Sequence, residues 1–166
     1  PVNNLGQLDL TSNTFIRTNT QAYINGTELS GELLLAGGWS SYGNFWYTYG
    51  QDRVLNEPVS RIPPAQGILG LRWRNESHTR WWDLYTWMVN RQDRYAFVNT
   101  RDARFPVGGT PGYATLNLRS GRTLGARRQH RVSWNIENLT NKAYRVLGSG
   151  VDGPGVNGIF TWEYLR

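Results

Sequence analysis

From Tyr23 onward the sequence is dominated by runs in which apolar and polar residues alternate with a period of two. Leu29, Gly31, Leu33 and Leu35 share one face, opposite Glu28, Ser30 and Glu32. Phe45, Tyr47 and Tyr49 oppose Asn44 and Thr48, and Leu69, Leu71 and Trp73 oppose Gly70, Arg72 and Arg74. Ala114, Leu116 and Leu118 oppose Tyr113, Thr115, Asn117 and Arg119. Val132, Trp134 and Ile136 oppose Arg131, Ser133, Asn135 and Glu137, and Phe160, Trp162 and Tyr164 close the series against Thr161 and Glu163. This is the repeat of a pleated strand, and no amphipathic helical pattern competes with it. One further strand, Arg80 to Gln92, carries bulky residues on both sides of Asp83, so its pattern does not orient it.

The connections add a second constraint. Short turns are expected near 36–39, 76–79 and 120–129, and long loops near 51–66, 93–112 and 144–157. The Gly37-Gly38 pair marks the first tight turn. Three prolines between Gln51 and Gln66 exclude a central strand there. An antiparallel meander with short turns at one end and long loops at the other is the pattern of an outer-membrane β-barrel. The fold class expected is therefore all-β, an antiparallel transmembrane barrel meander of about eight strands in a single domain over residues 1–166. A soluble β-sandwich that binds carbohydrate is the alternative, since its strands alternate too.

Composition bears on the choice through its aromatic residues. Eight Trp and nine Tyr in 166 residues suit a core, a sugar-stacking surface or a membrane–water interface. In the last strand every apolar position before Leu165 but Ile159 is aromatic, which fits an interfacial girdle better than a core. Trp134, Phe160, Trp162 and Tyr164 are the residues expected at that interface. The net charge of +6 comes from 18 Lys and Arg against 12 Asp and Glu. The arginines are scattered and no nucleic-acid-binding signature accompanies them, so nucleic acid is not an expected partner.

The side chains that usually carry chemistry are sparse. The absence of cysteine excludes disulfides and thiolate metal sites. His78 and His130 are isolated and read as surface residues, so no metal or cofactor is expected. No nucleophile elbow or phosphate-binding loop is present, and no catalytic residue is assigned. Glu28 and Glu32 read as solvation of an inner wall or as partners of Arg72 and Arg74. The long loops hold Arg53, Arg61, Tyr95, Phe97, Arg101 and Arg104, a set suited to an anionic or aromatic ligand, or to lipopolysaccharide phosphates.

Several blocks, in order, resemble the C-terminal part of the barrel of TonB-dependent outer-membrane receptors. They are Ala22–Asp52 with its Gly26-Thr27-Glu28 element, Ser60–Trp73 with Ile-Pro-Pro, Thr115–Gly125, Val132–Gly150 with Glu137-Asn138-Leu139-Thr140-Asn141-Lys142-Ala143-Tyr144, and Pro154–Arg166. The resemblance implies a wall segment of a receptor that imports a scarce nutrient, such as a siderophore-type metal chelate or an oligosaccharide. It implies outer-membrane lipid and lipopolysaccharide as surroundings, and a small molecule as ligand. It also implies the rest of the receptor, plug and N-terminal strands, as partner, with TonB acting indirectly through the plug. The 166 residues contain nothing that corresponds to a plug. A segment of a larger barrel is therefore the expectation, with a small free-standing barrel as the alternative.

Overall fold

The computed structural model describes the backbone of residues 2–9 and 14–165, and side chains from Thr20 to Leu165. The strands are β1 (Val2–Asp9), β2 (Thr14–Leu34), β3 (Trp39–Asp52), β4 (Glu57–Pro58), β5 (Gln66–Arg74), β6 (Arg80–Val89), β7 (Tyr113–Leu124), β8 (His130–Glu137) and β9 (Asn157–Tyr164). A single helical turn, α1 (Phe97–Thr100), interrupts the loop between β6 and β7. The sheet runs β1-β2-β3-β5-β6-β7-β8-β9, antiparallel throughout, with β4 as a short addition to β3. Sequential neighbours pair because each connection is a hairpin, the arrangement an up-and-down barrel requires.

The turn at Ala36–Gly38 depends on both glycines. They adopt φ of 71° and 81°, which side chains with a Cβ disfavour. A Cβ on Gly38 would also collide with the Arg74 carbonyl of the neighbouring hairpin. At the opposite end Asp52 terminates β3. Its carboxylate accepts the Val54 and Leu55 amides at 2.8 and 2.9 Å and the Thr20 hydroxyl at 2.7 Å. The chain is thereby turned into the first long loop.

The strand ends are staggered. A paired row runs Trp39–Trp73–Trp82–Ser120–Trp134–Phe160 across the sheet. The short-turn end begins at Trp39 itself, but lies beyond Arg74 in β5, at Leu124 in β7 and at Tyr164 in β9. That progressive offset is the shear of a sheet with tilted strands.

Burial is inverted relative to a water-soluble fold. The residues that disappear from solvent on the sheet are polar: Ser40, Asp83, Thr115 and Asn117. Those that stay out are apolar, with Leu69 58% and Trp162 60% exposed, beside Leu29, Leu33, Phe45 and Phe160. Burying apolar surface is the main favourable term in water, at about 25 cal/mol per Å². A sheet that leaves this face bare is built for an apolar solvent. Among the described residues no second sheet covers it, so the β-sandwich alternative lacks its other layer. Among the described residues no helix is long and apolar enough to cross a membrane.

The sheet is open. β9 pairs only with β8, and the Ala22–Leu34 half of β2 pairs only with β3, because β1 reaches no lower than Gln21. In hydrocarbon an unpaired backbone group would cost several kcal/mol.

The sequence reading and the structure differ in three places. β7 continues to Leu124, so Ser120–Leu124 is strand and the turn shortens to residues 125–129. β6 stops at Val89, and β2 begins at Thr14, well before Tyr23. β6 also acquires an orientation: pairing with β7 puts Asp83, Tyr85 and Trp87 on the face of Arg119, Asn117 and Thr115.

Candidate functional site

The inward face of the sheet carries a charged cluster. Asp83, 1% exposed, accepts the Tyr42 hydroxyl at 2.8 Å and the Arg119 guanidinium at 2.7 Å, with Arg72 at 3.3 Å. Arg72 lies 4.6 Å from the Tyr42 ring centroid and Arg119 lies 4.6 Å from that of Tyr85. The cluster depends on Gly70, because a Cβ there would run into the Tyr42 ring that leans across β5 to reach β6. Glu32 joins at the edge, 3.8 Å from Arg72 and bonded by the Ser40 hydroxyl at 2.7 Å. This meets the expectation for Glu32, while Glu28 and Arg74 form no ion pair among the described residues.

Toward the long-loop end the same face opens into a cup of about 360 Å³. Trp46, Ile68, Tyr85, Trp87 and Tyr144 form its walls, with Thr115, Asn117, Glu137, Asn138 and Pro154 between them. The rings hold one another. Trp87 stands edge-on to Tyr113 at 5.4 Å, and Tyr113 lies 4.5 Å from Tyr144. Trp87 Nε1 donates to Gln66 Oε1 at 3.3 Å. Glu137 accepts from Asn135 at 2.8 Å, which fixes its carboxylate at the rim.

Asn138 explains the polar stretch after β8. It is 2% exposed with φ of 53°, a left-handed conformation that Asn tolerates better than most residues. Its side chain donates to the Lys142 and Pro154 carbonyls at 2.9 and 3.0 Å and accepts the Lys142 amide at 2.8 Å. Its own amide donates to Asn117 Oδ1 at 3.0 Å. One buried amide side chain thus ties the last loop to the wall. Asn138→Ala removes three side-chain bonds and sets Ala in the left-handed region. It is expected to lower the opening free energy of residues 138–156 by about 2–4 kcal/mol. Amide hydrogen exchange at Gly153 and Val156 checks this, with β8 unchanged.

The three long loops pack on one another as a canopy. The Phe97 amide donates to Glu57 at 2.7 Å, Asn99 to Ser60 at 3.0 Å and Gln92 to the Ile62 carbonyl at 3.0 Å. Phe105 is buried edge-on to Tyr95 at 5.3 Å and faces Gly148 of the last loop. The loop residues anticipated as ligand contacts divide accordingly. Tyr95 is held by Phe105 and by Thr110, whose hydroxyl is 2.6 Å from its own. Arg104 is clamped on Asp102 through bonds of 2.9 and 2.6 Å. Phe97 is exposed with Arg101 4.5 Å above its ring, a pair presented outward. Arg53 lies apart, 5.0 Å from the Tyr23 ring, and Arg61 is exposed in a turn with φ of 61°.

The Arg104 guanidinium holds the Asp102 carboxyl down at about 2, below its ordinary 3.8. A depressed folded value means the pair stabilises the loop fully above the ordinary carboxylate range and loses that contribution as pH falls through about 2. A carboxyl carbon NMR titration of Asp102 is expected to show its midpoint near 2. A midpoint near 4 would show that the clamp does not form.

The four aromatics anticipated at a membrane interface share the outward face. Trp134 and Phe160 are neighbours at 4.5 Å, and all of Trp134, Phe160, Trp162 and Tyr164 are exposed. His130, read from sequence as a plain surface residue, stacks on Trp162 at 6.0 Å and accepts its indole N–H at 3.3 Å. Trp39, Trp73 and Trp82 extend the aromatic row near the short-turn edge. A concavity of about 870 Å³ between Glu32, Ser40, Arg72 and the 75–78 turn is a wide opening at that edge. Among the described residues no group of His, Asp and Glu forms a metal site.

A polar wall facing in, an apolar wall facing out, short turns at one rim and packed loops at the other are the fold of a sector of an outer-membrane-type β-barrel. Solved structures share this arrangement. The copper transporter OprC superposes with a TM-score of 0.76 at 20% identity, over 91% of this chain and 24% of its own. FpvA of P. aeruginosa, bound to a heterologous iron–pyoverdine, superposes with a TM-score of 0.65 at 16% identity, over 97% of this chain and 23% of its own. The chain therefore spans about a quarter of either structure. No family model and no curated protein matches the sequence.

Proposed function

We propose that this chain forms part of the barrel wall of a TonB-dependent receptor in the bacterial outer membrane, importing a scarce small molecule. The observation that carries the reading is the inverted sheet, polar and buried inside, apolar and bare outside. The similarity to OprC and FpvA supports it, as do the order of motifs and the open edges that further barrel strands would pair. On this reading the wall does no chemistry. The remaining strands and the plug are its partners, lipid and lipopolysaccharide surround it, and TonB acts through the plug. Recovery in the outer-membrane fraction with heat-modifiable gel mobility supports the proposal. A chain that is soluble and monomeric without detergent contradicts it.

The cup and the canopy are the proposed ligand contacts. Phe97 with Arg101, and Arg53 and Arg61, which form no ion pair among the described residues, suit an anionic chelate at the loops, while Trp46 and Trp87 suit a ring at the wall. An iron–pyoverdine and maltohexaose serve as probes of the two nutrient classes, siderophore and oligosaccharide. Trp87→Ala is expected to weaken binding of the accepted probe about fivefold, since one aromatic contact is worth about 1 kcal/mol. Unchanged binding would take the cup out of the ligand path.

A further inference from the structure

On the outward face, one step below Trp82, Arg80 and Arg122 are directly opposite each other in the β6–β7 ladder. Paired residues on one face stand roughly 5 Å apart at Cβ, and like charges so placed repel. Neither side chain has an ion-pair or hydrogen-bond partner among the described residues, and both are exposed. Glu76, in the turn between β5 and β6, forms an ion pair with neither among the described residues. Glu163 and Arg131, at similar height, are opposite each other on the inward face. The turn below adds Arg127 and Arg128, both exposed.

The height of the pair matters as much as its charge. Above it the outward face is Trp82, Leu84, Leu118 and Leu116, and beside it stand Val132 and the exposed Trp162. Indole rings of this kind mark headgroup level, and the long arginine stem keeps its charge there while its methylenes lie on the apolar wall. Two guanidinium forks held side by side match the oxygens of a phosphodiester, which each can grip in a bidentate fashion. An anion between them also removes the repulsion that the ladder imposes.

We propose that Arg80 and Arg122 form a binding site for the phosphate of an anionic phospholipid in the leaflet at the short-turn rim. The proposal rests on the membrane reading above and adds a specific lipid contact to it. A single acyl chain of that lipid would lie against Leu84 and Leu118, the apolar residues above the pair, and against Val132 beside it.

The test is native mass spectrometry of the full protein released from nanodiscs of phosphatidylcholine with one-fifth phosphatidylglycerol. The wild-type protein is expected to retain phosphatidylglycerol over phosphatidylcholine. Arg80→Gln/Arg122→Gln should reduce that retention at least tenfold. Arg74→Gln/Arg131→Gln, which removes the same charge from the inward face, should leave it intact. Retention unaffected by the first pair, or reduced equally by both, overturns the site. Displacement by millimolar inorganic phosphate would show a free-anion site instead of a lipid site and overturns it too. Normal heat-modifiable mobility of the variants separates loss of lipid from loss of fold. A protein that does not enter nanodiscs at all overturns the membrane reading together with this one, whereas insertion without Arg80- and Arg122-dependent retention overturns this one alone.

Discussion

Asp83→Ala is expected to cost about 3–5 kcal/mol of stability, because it leaves two arginines and a phenol around a site emptied of negative charge. Asp83 is 1% exposed and is shared by Tyr42, Arg72 and Arg119, which come from three different strands. The substitution therefore loosens β3, β5, β6 and β7 against one another. Urea midpoints of the detergent-folded protein measure the loss. Glu32→Ala supplies the contrast. Glu32 touches the same Arg72 at 3.8 Å, but its side chain is 46% exposed, and solvent screening limits its worth to under about 1 kcal/mol. Equal losses in the two variants would show that burial does not set the strength of this cluster.

The second large effect concerns the outward face. Leu69→Arg places a guanidinium at the centre of β5 on the bare apolar side. At the middle of a bilayer such a substitution costs about 2–4 kcal/mol. Ser133→Arg, central in β8 but on the inward face with Gly121 and Thr161, enters a polar lumen and should cost little. Folding yields into phosphatidylcholine vesicles, with urea midpoints of the inserted fraction, distinguish the two. The order of the effects reverses if the faces are assigned the wrong way round.

What could be read from the residues was the alternation, and with it the direction each side chain takes. β7, β8 and β9 show why: one polar face and one apolar face leave a single consistent register. The shared outward face of Trp134, Phe160, Trp162 and Tyr164 was legible for the same reason, since they fall on one phase of the repeat. β6 was not legible. Trp81, Trp82, Tyr85 and Trp87 occupy both phases, so only pairing with β7 reveals that Asp83 faces in. The single acid in a tryptophan-rich strand was the available hint. The cluster itself depends on Gly70 making room for Tyr42, a cross-strand relation that no local pattern encodes.

The loops were legible as loops but not as a canopy. Tyr95 and Arg104 were anticipated as ligand contacts, and the structure shows that each is also packed within the loops, against Phe105 and Asp102. Composition shows which side chains a loop contains, not which of them the loop needs for its own packing. Asn138 is the converse case. The polar run after β8 offered no chemistry, yet its one buried Asn fastens the last loop to Asn117 in the wall.

The central claim is that the sheet separates lipid from a polar interior, and a spin-label scan of β9 in vesicles tests it most directly. Single nitroxides from Gly158 to Glu163 would be challenged with oxygen, which concentrates in lipid, and with a water-soluble nickel chelate. Labels at positions 158, 160 and 162 should be relaxed by oxygen, and those at 159, 161 and 163 by the chelate. A scan in which every position meets the chelate equally, or in which the two phases are exchanged, would contradict the account.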